Sequence, residues 1–544
     1  MSEKNFTPDP LGITEQELAR QVEERAAGLL PQVVREPLDP LFVKSCLDGN
    51  ERGDGCMTAA LLKDRFLLNV TVNKDPEWYS WKGNVWQRDV YRESIDAVEE
   101  CAIEYSRMAI DLSNKIEELG VTKKDKDNGW MVALRDKYLT RVSRLRSENG
   151  IKKALAMSAV VDRKTMACEE SEFNKNPWLL PVQNGVIDLE SGALTKGRPS
   201  DRMTKTLDIE YDPRAEYGPW VDFVQEVSDS VEMEQFQKRS LGYAATGFSH
   251  EQYIWFYIGP GRNGKGIFFN AISDVLGPYY HEIDKAMILE QRNEPGPNAA
   301  SEHKYSLLHK RFIVAAETNK GQKIDPSALK TLTGMNNIRC RPNFRSEIIF
   351  SPSHSTFCQT NSFPIGLTRE LSLIERMLIV EFPFIYVDDV DEKKRKFPAL
   401  ADKFRKKDPK LHEKLAKYRQ GVLRWIVEGA KDWNENGLQP PQQVFDHVNR
   451  LVKENDPVGL FIEDCCDQWP DRPEIRMTTK TMYEVFKFWW KQNNEDNDKY
   501  IPSIKGITAT LREKGFVVKP SGGSTWIERL SIKLSVDLNM RGES

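Results

Sequence analysis

No apolar run in the 544-residue sequence approaches the roughly 20 residues needed to span a bilayer. The first residues, Met1 to Gly12, lack the basic stretch and apolar segment of a secretory leader. Together these absences predict a cytoplasmic protein with no membrane partner. The eight cysteines contain no C-x-x-C pair, and the seven histidines are scattered. A structural zinc site needs paired ligands at short spacing, so none is expected. Reduced thiols are expected instead, with Cys465–Cys466 as a buried step on a helix rather than a vicinal disulfide. An excess of one charge is also missing: 78 Lys and Arg face 82 Asp and Glu, for a net charge of −4. That balance excludes a small basic DNA-coating protein and leaves room for a local basic patch. There is no internal repeat and no low-complexity tract.

What is present is enough chain for about three or four domains. Glu15 to Leu30 reads as a helix stopped by Pro31. Trp78, Trp81 and Trp86 flank a Lys82-Gly83-Asn84 turn, which predicts a hairpin over a small satellite core; base stacking is the sharper alternative. Residues 96–175 read as helical, with a solvated charged loop at Lys123–Asn128. Asp48–Asp54 reads as an acidic loop among glycines. Asn184-Gly185 lies between apolar runs and Ser191-Gly192 follows, so a β-rich module is expected there. Helical periodicity returns from Trp220 to Gly242.

The most informative segment follows the apolar strand Tyr253–Ile258. Gly259-Pro260-Gly261-Arg262-Asn263-Gly264-Lys265-Gly266 matches G-x-x-x-x-G-K and leads into a helical run from Ile267. Glycines let successive backbone N–H groups turn toward phosphate oxygens, and the helix N-terminus adds partial positive charge. Residues Gly259 to Ile267 are therefore the candidate nucleotide-binding loop, with Lys265 reaching the β- and γ-phosphates. The usual Ser or Thr ligand of Mg²⁺ is Gly266 here, so the metal needs an acid elsewhere. The strand Arg311–Glu317 ends in one, and Glu317 is the candidate metal ligand and activator of the attacking water. A third strand, Ser355–Asn361, puts Asn361 in reach of a γ-phosphate or the lytic water.

Between these strands Ile338–Arg345 alternates, Pro342-Asn343 turns, and Glu347–Phe350 returns. From Lys304 to Arg345 nine cations face two acids, a net charge of +7. Basic side chains on a hairpin (Arg339, Arg341 and Arg345, with Asn343) suit a nucleic-acid backbone read without sequence. Arg376, at the start of a further strand, and Arg369 are both candidates for an arginine supplied across a subunit interface.

This order, inside about 120 residues, resembles the superfamily 3 helicases, in particular the helicase half of phage and plasmid primases and the poxvirus primase-helicase. Asn184–Leu189, Asp208–Pro213 and Trp220 look like the domain that precedes the ATPase in that family, and Leu332-Thr333-Gly334 and Phe382-Pro383 fit as well. The resemblance covers roughly residues 45–385. It implies an α/β fold with a five-stranded AAA-like P-loop ATPase core. It also implies ATP and Mg²⁺ as cofactors and a homo-hexameric ring with ATP between subunits. The hairpin would line the channel and track single-stranded DNA. Lys265, Glu317, Asn361 and Arg376 become the catalytic set, with Arg376 acting in trans. Departures are Gly266, Ala316 where a second acid is usual, and Glu375-Arg376 where an Arg pair is common.

The expected division is a mixed α+β N-terminal domain (1–214), a helical collar or oligomerisation segment (215–250), the ATPase core (251–385), a charged helical linker (386–440) and a winged-helix-like domain (441–544). In the last, Lys505, Thr508 and Arg512 face DNA if the module reads a groove; protein docking is an equal alternative. Lys393–Lys396 reads as a solvated helix or linker. No room is found for a primase-polymerase domain, so a separate primase or polymerase is the expected partner. The leading expectation is a DNA helicase of a phage or other mobile element acting on single-stranded and forked DNA. The alternatives are an ATP-switched initiator, origin-binding or loader protein with weak unwinding, and a P-loop kinase of small molecules.

Overall fold

The computed structural model describes residues 36–71, 77–289, 301–316, 325–334, 336–342, 347–361, 371–454, 456–493 and 501–536. The expected Glu15–Leu30 helix lies outside them. The chain forms two compact units. The first is residues 1–173 with 198–204, and the second is 174–197 with 205–544.

In the first unit α1 (Pro40–Asp48) and α2 (Asn50–Leu62) precede a strand, β1 (Phe66–Asn69). The hairpin β2 (Glu77–Trp81) and β3 (Trp86–Arg88) follows, then α3 (Glu99–Glu118), α4 (Gly129–Leu145), α5 (Glu148–Val161) and β4 (Ala167–Cys168). The four strands pair in the order β3-β2-β1-β4. Trp81 pairs across the hairpin with Trp86, their ring centroids 5.4 Å apart. Trp86 is buried with Leu67, Cys168 and Phe173, with Trp81 packed against them, so these two build a small satellite core, while Trp78 joins the main cluster of the unit.

The acidic Asp48–Asp54 segment is not a loop. Gly49 joins α1 to α2, and Gly53 and Gly55 lie in α2, where a missing Cβ permits close packing. A Cβ on Gly53 would stand 1.8 Å from the Cys46 carbonyl oxygen, and one on Gly55 2.5 Å from the Met157 side chain. Asp54 is buried there, paired with Arg141 at 2.9 Å and accepting from the Tyr105 hydroxyl at 3.1 Å. Burial holds the Asp54 carboxyl above its usual range, and the attraction of Arg141 offsets only part of that rise.

The second unit opens with β5 (Leu179–Val182), β6 (Gly185–Asp188) and β7 (Leu194–Thr195), an antiparallel meander around the Asn184-Gly185 turn. Helices α6 (Gly218–Ser228) and α7 (Val231–Ala245) lead to β8 (Ile254–Ile258) and α8 (Lys265–Leu276). Next come β9 (Tyr280–Ile283), β10 (Phe312–Ala316), α9 (Pro326–Thr333), and the hairpin β11 (Ile338–Cys340) and β12 (Ile348–Phe350). β13 (Ser355–Thr360) and β14 (Met377–Glu381) complete a five-stranded sheet of order β14-β8-β13-β10-β9, parallel throughout. This is a mixed α/β fold whose sheet is consistent with a P-loop core. Parallel strands are covered on both faces and read as continuous apolar runs, which is why Ile254–Ile258 and Phe312–Ala315 are buried at every position.

The region expected as a charged linker divides in two. The helix α10 (Val390–Lys396) is exposed, as its lysines suggest. The helix α11 (Arg419–Asn436) is core, with Trp425 and Ile426 fully buried. It crosses α7 at backbone contact: a Cβ on Gly242 would lie 2.1 Å from the Ala430 nitrogen, and one on Gly429 2.0 Å from the Lys238 carbonyl oxygen. Trp220 of α6 stacks on Phe268 of α8 and meets Trp425 of α11 edge-on. The β5–β7 meander joins this same core through Leu180, Ile187, Leu207 and Ile209.

Helix α12 (Gln442–Glu454) buries Val448 against the opposite face of the sheet, so the segment after Leu438 belongs first to the α/β core. The terminal module follows with its own apolar cluster: α13 (Pro457–Cys465), β15 (Arg476–Thr478), α14 (Thr479–Asn493), α15 (Ile504–Glu513), β16 (Val518–Ser521) and β17 (Ser524–Glu528). Its strands pair in the order β15-β17-β16. All eight cysteines are free thiols and seven are buried. Cys465 ends α13 and Cys466 begins the next strand, so the pair is not a step on one helix. No described helix is long and apolar enough to cross a membrane.

Gly429→Ala drives its new Cβ into the α7 backbone, where no flexible side chain can yield. Overpacking of this kind costs about 1–3 kcal/mol or more, to be read as a lowered urea midpoint with unchanged slope. Acid sensitivity is the second expectation. Burial pushes the His354 imidazole down from 6.5 to about 4. Between those values the unfolded chain binds the extra proton, so this stability is present above pH 6.5 and is lost as pH falls toward 4. The expected slope is about 1.4 kcal/mol per pH unit from this residue, and His354→Gln should remove it in urea titrations from pH 7 to 5.

Candidate nucleotide site

The phosphate-type loop runs from the C-terminal end of β8 to the first turn of α8. Its backbone demands glycine at two positions. Gly264 has φ +92, and a Cβ there would meet Val227 at 2.9 Å; Gly259 has φ +151 with the Phe382 carbonyl oxygen 2.2 Å from the Cβ position. Arg262 takes φ +62 between them. The chain leaving β14 fastens the loop from one side. Phe382 N–H donates to the Ile258 carbonyl at 2.8 Å, and Tyr386 N–H to the Arg262 carbonyl at 2.8 Å. Asn263 is buried and bridges inward: its amide donates to the Phe382 carbonyl at 3.2 Å, and its Oδ1 accepts the Lys265 N–H at 3.3 Å.

Lys265 opens α8 and is only 3% exposed. Its ammonium donates to the Gly259 carbonyl at 2.7 Å and to Asn361 Oδ1 at 3.0 Å. Asn361 follows directly on β13, the strand hydrogen-bonded beside β8. The structure thus brings Lys265 and Asn361 together at one end of the parallel sheet. Gly266 stands in open space: a Cβ there meets no atom within 4 Å. Glu317, the candidate metal ligand and water activator, lies outside the described residues, as do Arg369, Asn343 and Arg345. Among the described residues no cluster of three or more His, Cys, Asp or Glu could hold a metal.

Arg376 sits at the opposite edge of the same sheet. Its carbonyl accepts from Ile254 at the start of β8, and its guanidinium reaches Thr333 Oγ1 at 3.4 Å. The five residues of β8 separate it from its own phosphate loop, roughly 16 Å of strand. The basic hairpin packs its inner face, Ile338, Cys340, Ile348 and Phe350, on the sheet beside Phe256 and Cys358. Register places Arg339 opposite Ile349 on the outer face, and Arg339 and Arg341 are both exposed.

The local charge is smaller than the sequence count suggests. Arg311 is buried and donates to the carbonyls of Ala245 and Leu179 at 2.8 and 2.7 Å. Lys310 turns onto the carbonyls of Pro278 and Tyr280, and burial pushes its pKa down to about 8. Both are struts, not part of an outward patch. Sequence reasoning also missed a charged cluster at the end of β14. Arg450 and His447 of α12 both engage Glu381, at 2.6 and 3.3 Å, at the loop end of β14. Its one sequence signal is the His-x-x-Arg spacing, which puts both side chains on one helix face.

Substitution at the glycines should separate the two kinds of position. Gly264→Ala is expected to distort the loop and reduce nucleotide-analogue affinity at least tenfold. Gly266→Ala should leave affinity within about twofold and raise helix stability by up to ~1 kcal/mol, both readable by calorimetry and thermal melts.

Residues 59–229 match the family model described as "D5 N terminal like". The chain is 23% identical over 443 residues to "Putative helicase L207/L206" of Acanthamoeba polyphaga mimivirus, covering 79% of this chain and 45% of that protein. It is 22% identical over 484 residues to "Putative helicase 121R" of Invertebrate iridescent virus 3, covering 82% and 50%. "Putative helicase V13" of Sputnik virophage is 22% identical over 334 residues, covering 57% and 41%. The chain spans about half the length of the curated relatives it matches. Among solved structures, the apo C-terminal region of NrS-1 aligns at TM-score 0.37 with 10% identity, over 70% of this chain and 90% of that one. Residues 59–229 thus match a D5 N-terminal-like domain, and the chain is similar to proteins of large DNA viruses and a virophage that carry the helicase name.

Proposed function

We propose that this chain hydrolyses ATP with Mg²⁺ to translocate on single-stranded DNA and unwind duplex during replication of a virus or other mobile element. The observation that carries the reading is the Lys265–Asn361 hydrogen bond at the glycine-rich end of the parallel sheet. A γ-phosphate bound by the Lys265 ammonium lies against Asn361, so its presence or loss is felt at the tip of β13. The strand order β14-β8-β13-β10-β9 supports an AAA-like core, with the Asn361 strand between the loop strand and the strand that precedes Glu317.

Each residue then has a stated task. Backbone N–H groups of Gly261 to Lys265 and the α8 N-terminus hold the phosphates. Glu317 orients the attacking water and contributes to holding Mg²⁺. Asn361 reads the γ-phosphate. Arg376, on the far edge of the sheet from its own loop, is suited to the site of a neighbouring subunit in a homo-hexameric ring. Arg339 and Arg341 follow the DNA backbone. The order α13, two short strands, α14, α15 and the β16–β17 hairpin supports the winged-helix-like reading of the terminal module. A separate primase or polymerase is the expected partner.

A second reading is an ATP-switched initiator or loader with weak unwinding. Gly266 favours it, because a loop without the metal-binding hydroxyl suits slow turnover.

The purified protein should hydrolyse ATP faster with single-stranded DNA and displace a strand from a fork. Lys265→Ala is expected to lose ATP binding, and Glu317→Gln to bind ATP with turnover reduced at least 100-fold. Arg339→Ala with Arg341→Ala should weaken single-strand binding and lower its salt slope by about 1.4. Fork unwinding that survives Glu317→Gln sinks the proposal. DNA-stimulated ATPase without strand displacement favours the second reading.

A further inference from the structure

The terminal module carries a basic surface that the ATP site does not use. Helix α15 buries Ile507 and Leu511, one turn apart, and turns Lys505, Ala509 and Arg512 outward. Those three fall at i, i+4 and i+7, on one stripe. Lys505 and Arg512 make no ion pair with any described residue, whereas neighbouring cations do: Lys514 pairs with Asp456, and Lys519 with Glu528. Between the two cations the stripe holds only small side chains, with Gly506 beside it. An exposed glycine inside a helix costs about 1 kcal/mol relative to alanine, so its presence asks for a reason. A helix stripped of side-chain bulk between two cations can bring its backbone close to a flat or grooved polyanion.

The strands beside the helix point to the same partner. β16 and β17 join through Gly522 and Gly523, both at positive φ (+59 and +79), the two-residue turn that suits a tight protruding hairpin. Lys519 and Trp526 are register partners on it, and Arg476 of β15 lies over the Trp526 ring at 4.5 Å. Over described residues 476–493 and 501–533 the sequence has ten Lys and Arg against three acids, a net charge of +7. Glu513 is the one acid among the exposed residues of α15.

We propose that this module is a duplex-DNA binding surface, with the Lys505–Ala509–Arg512 stripe entering the major groove and the β16–β17 hairpin resting on the flanking backbone. The groove is about 12 Å wide and accepts a helix of 10–12 Å diameter. The cations at the two ends of the stripe then reach opposite phosphate walls. Such a surface grips the unopened duplex and needs no nucleotide, so it stands independently of the ATP-driven unwinding proposed above.

The test is anisotropy of the full-length protein with a labelled duplex about three helical turns long, without nucleotide, over a series of salt concentrations. Lys505→Glu with Arg512→Glu should lower duplex affinity at least tenfold and reduce the salt slope by about 2. DNA-free ATP hydrolysis should be unchanged, which separates this surface from the nucleotide site. Ala509→Trp, which adds bulk and no charge, should lower duplex affinity roughly fivefold at an unchanged salt slope. Duplex affinity within about twofold of the parent in both variants overturns the proposal and leaves protein docking as the use of this face. Equal losses on single-stranded and duplex DNA overturn the groove assignment as well.

Discussion

Two helices can approach until their backbones touch only where neither carries a Cβ at the crossing. The second unit is built around such a contact, between α7 at Gly242 and α11 at Gly429. Charged pairs flank it, Lys238 with Glu428 and Arg239 with Asp432, while Trp425 donates to the buried Glu234 at 2.7 Å. The approach lets Trp425 reach Trp220, and Trp220 in turn lies flat on Phe268. Phe268 is on α8, three residues after Lys265, so the glycine crossing is what sets the helix carrying the phosphate-loop lysine. The buried Arg311 ties the end of α7 and the start of β5 to the same sheet.

Much of this arrangement was legible in the sequence where local chemistry decides it. The loop shows because a strand, a glycine-rich turn and a helix must follow in that order. Both Trp81–Trp86 and Ile338–Phe350 show as hairpins because alternation and turn residues coincide. What stayed hidden depends on partners far away in the chain. Glycines that let helices touch, as at Gly53 and Gly55, look like loop glycines until the second helix is present. Helix α11 is masked by the charged stretch before it, and α12 by Pro440-Pro441, which reads as a boundary. Counting charge along Lys304–Arg345 treated Lys310 and Arg311 as surface, although each ends on main-chain carbonyls inside. Of the candidate site, Asn361 was legible as the polar residue that ends a third apolar strand, whereas the Glu381–Arg450–His447 brace was not.

The sheet separates its tasks by edge and by face. The glycine-rich loop, Lys265 and Asn361 gather at the C-terminal ends of β8 and β13, while Arg376 lies at the N-terminal end of β14. One face carries the helical layer with its aromatic stack, and the other carries the base of the basic hairpin. Phe256 and Cys358 lie on the hairpin side, and Trp255 and Phe357 on the helix side, alternating as strand geometry requires. Cys358 of β13 packs in the same apolar cluster as the hairpin base, so the strand that leads to Asn361 and the hairpin share one core.

The burial of the thiols has a practical meaning. Burial pushes Cys46, Cys168, Cys358 and Cys466 up to about 12 and Cys465 up to about 11, so little thiolate forms at neutral pH. Cys56 alone of the eight is partly open to solvent. With that one residue replaced by serine, the native chain becomes nearly silent toward maleimides. A cysteine introduced at an exposed position on the hairpin or on α15 could then carry a single fluorophore, giving distances and motions from an otherwise unlabelled protein.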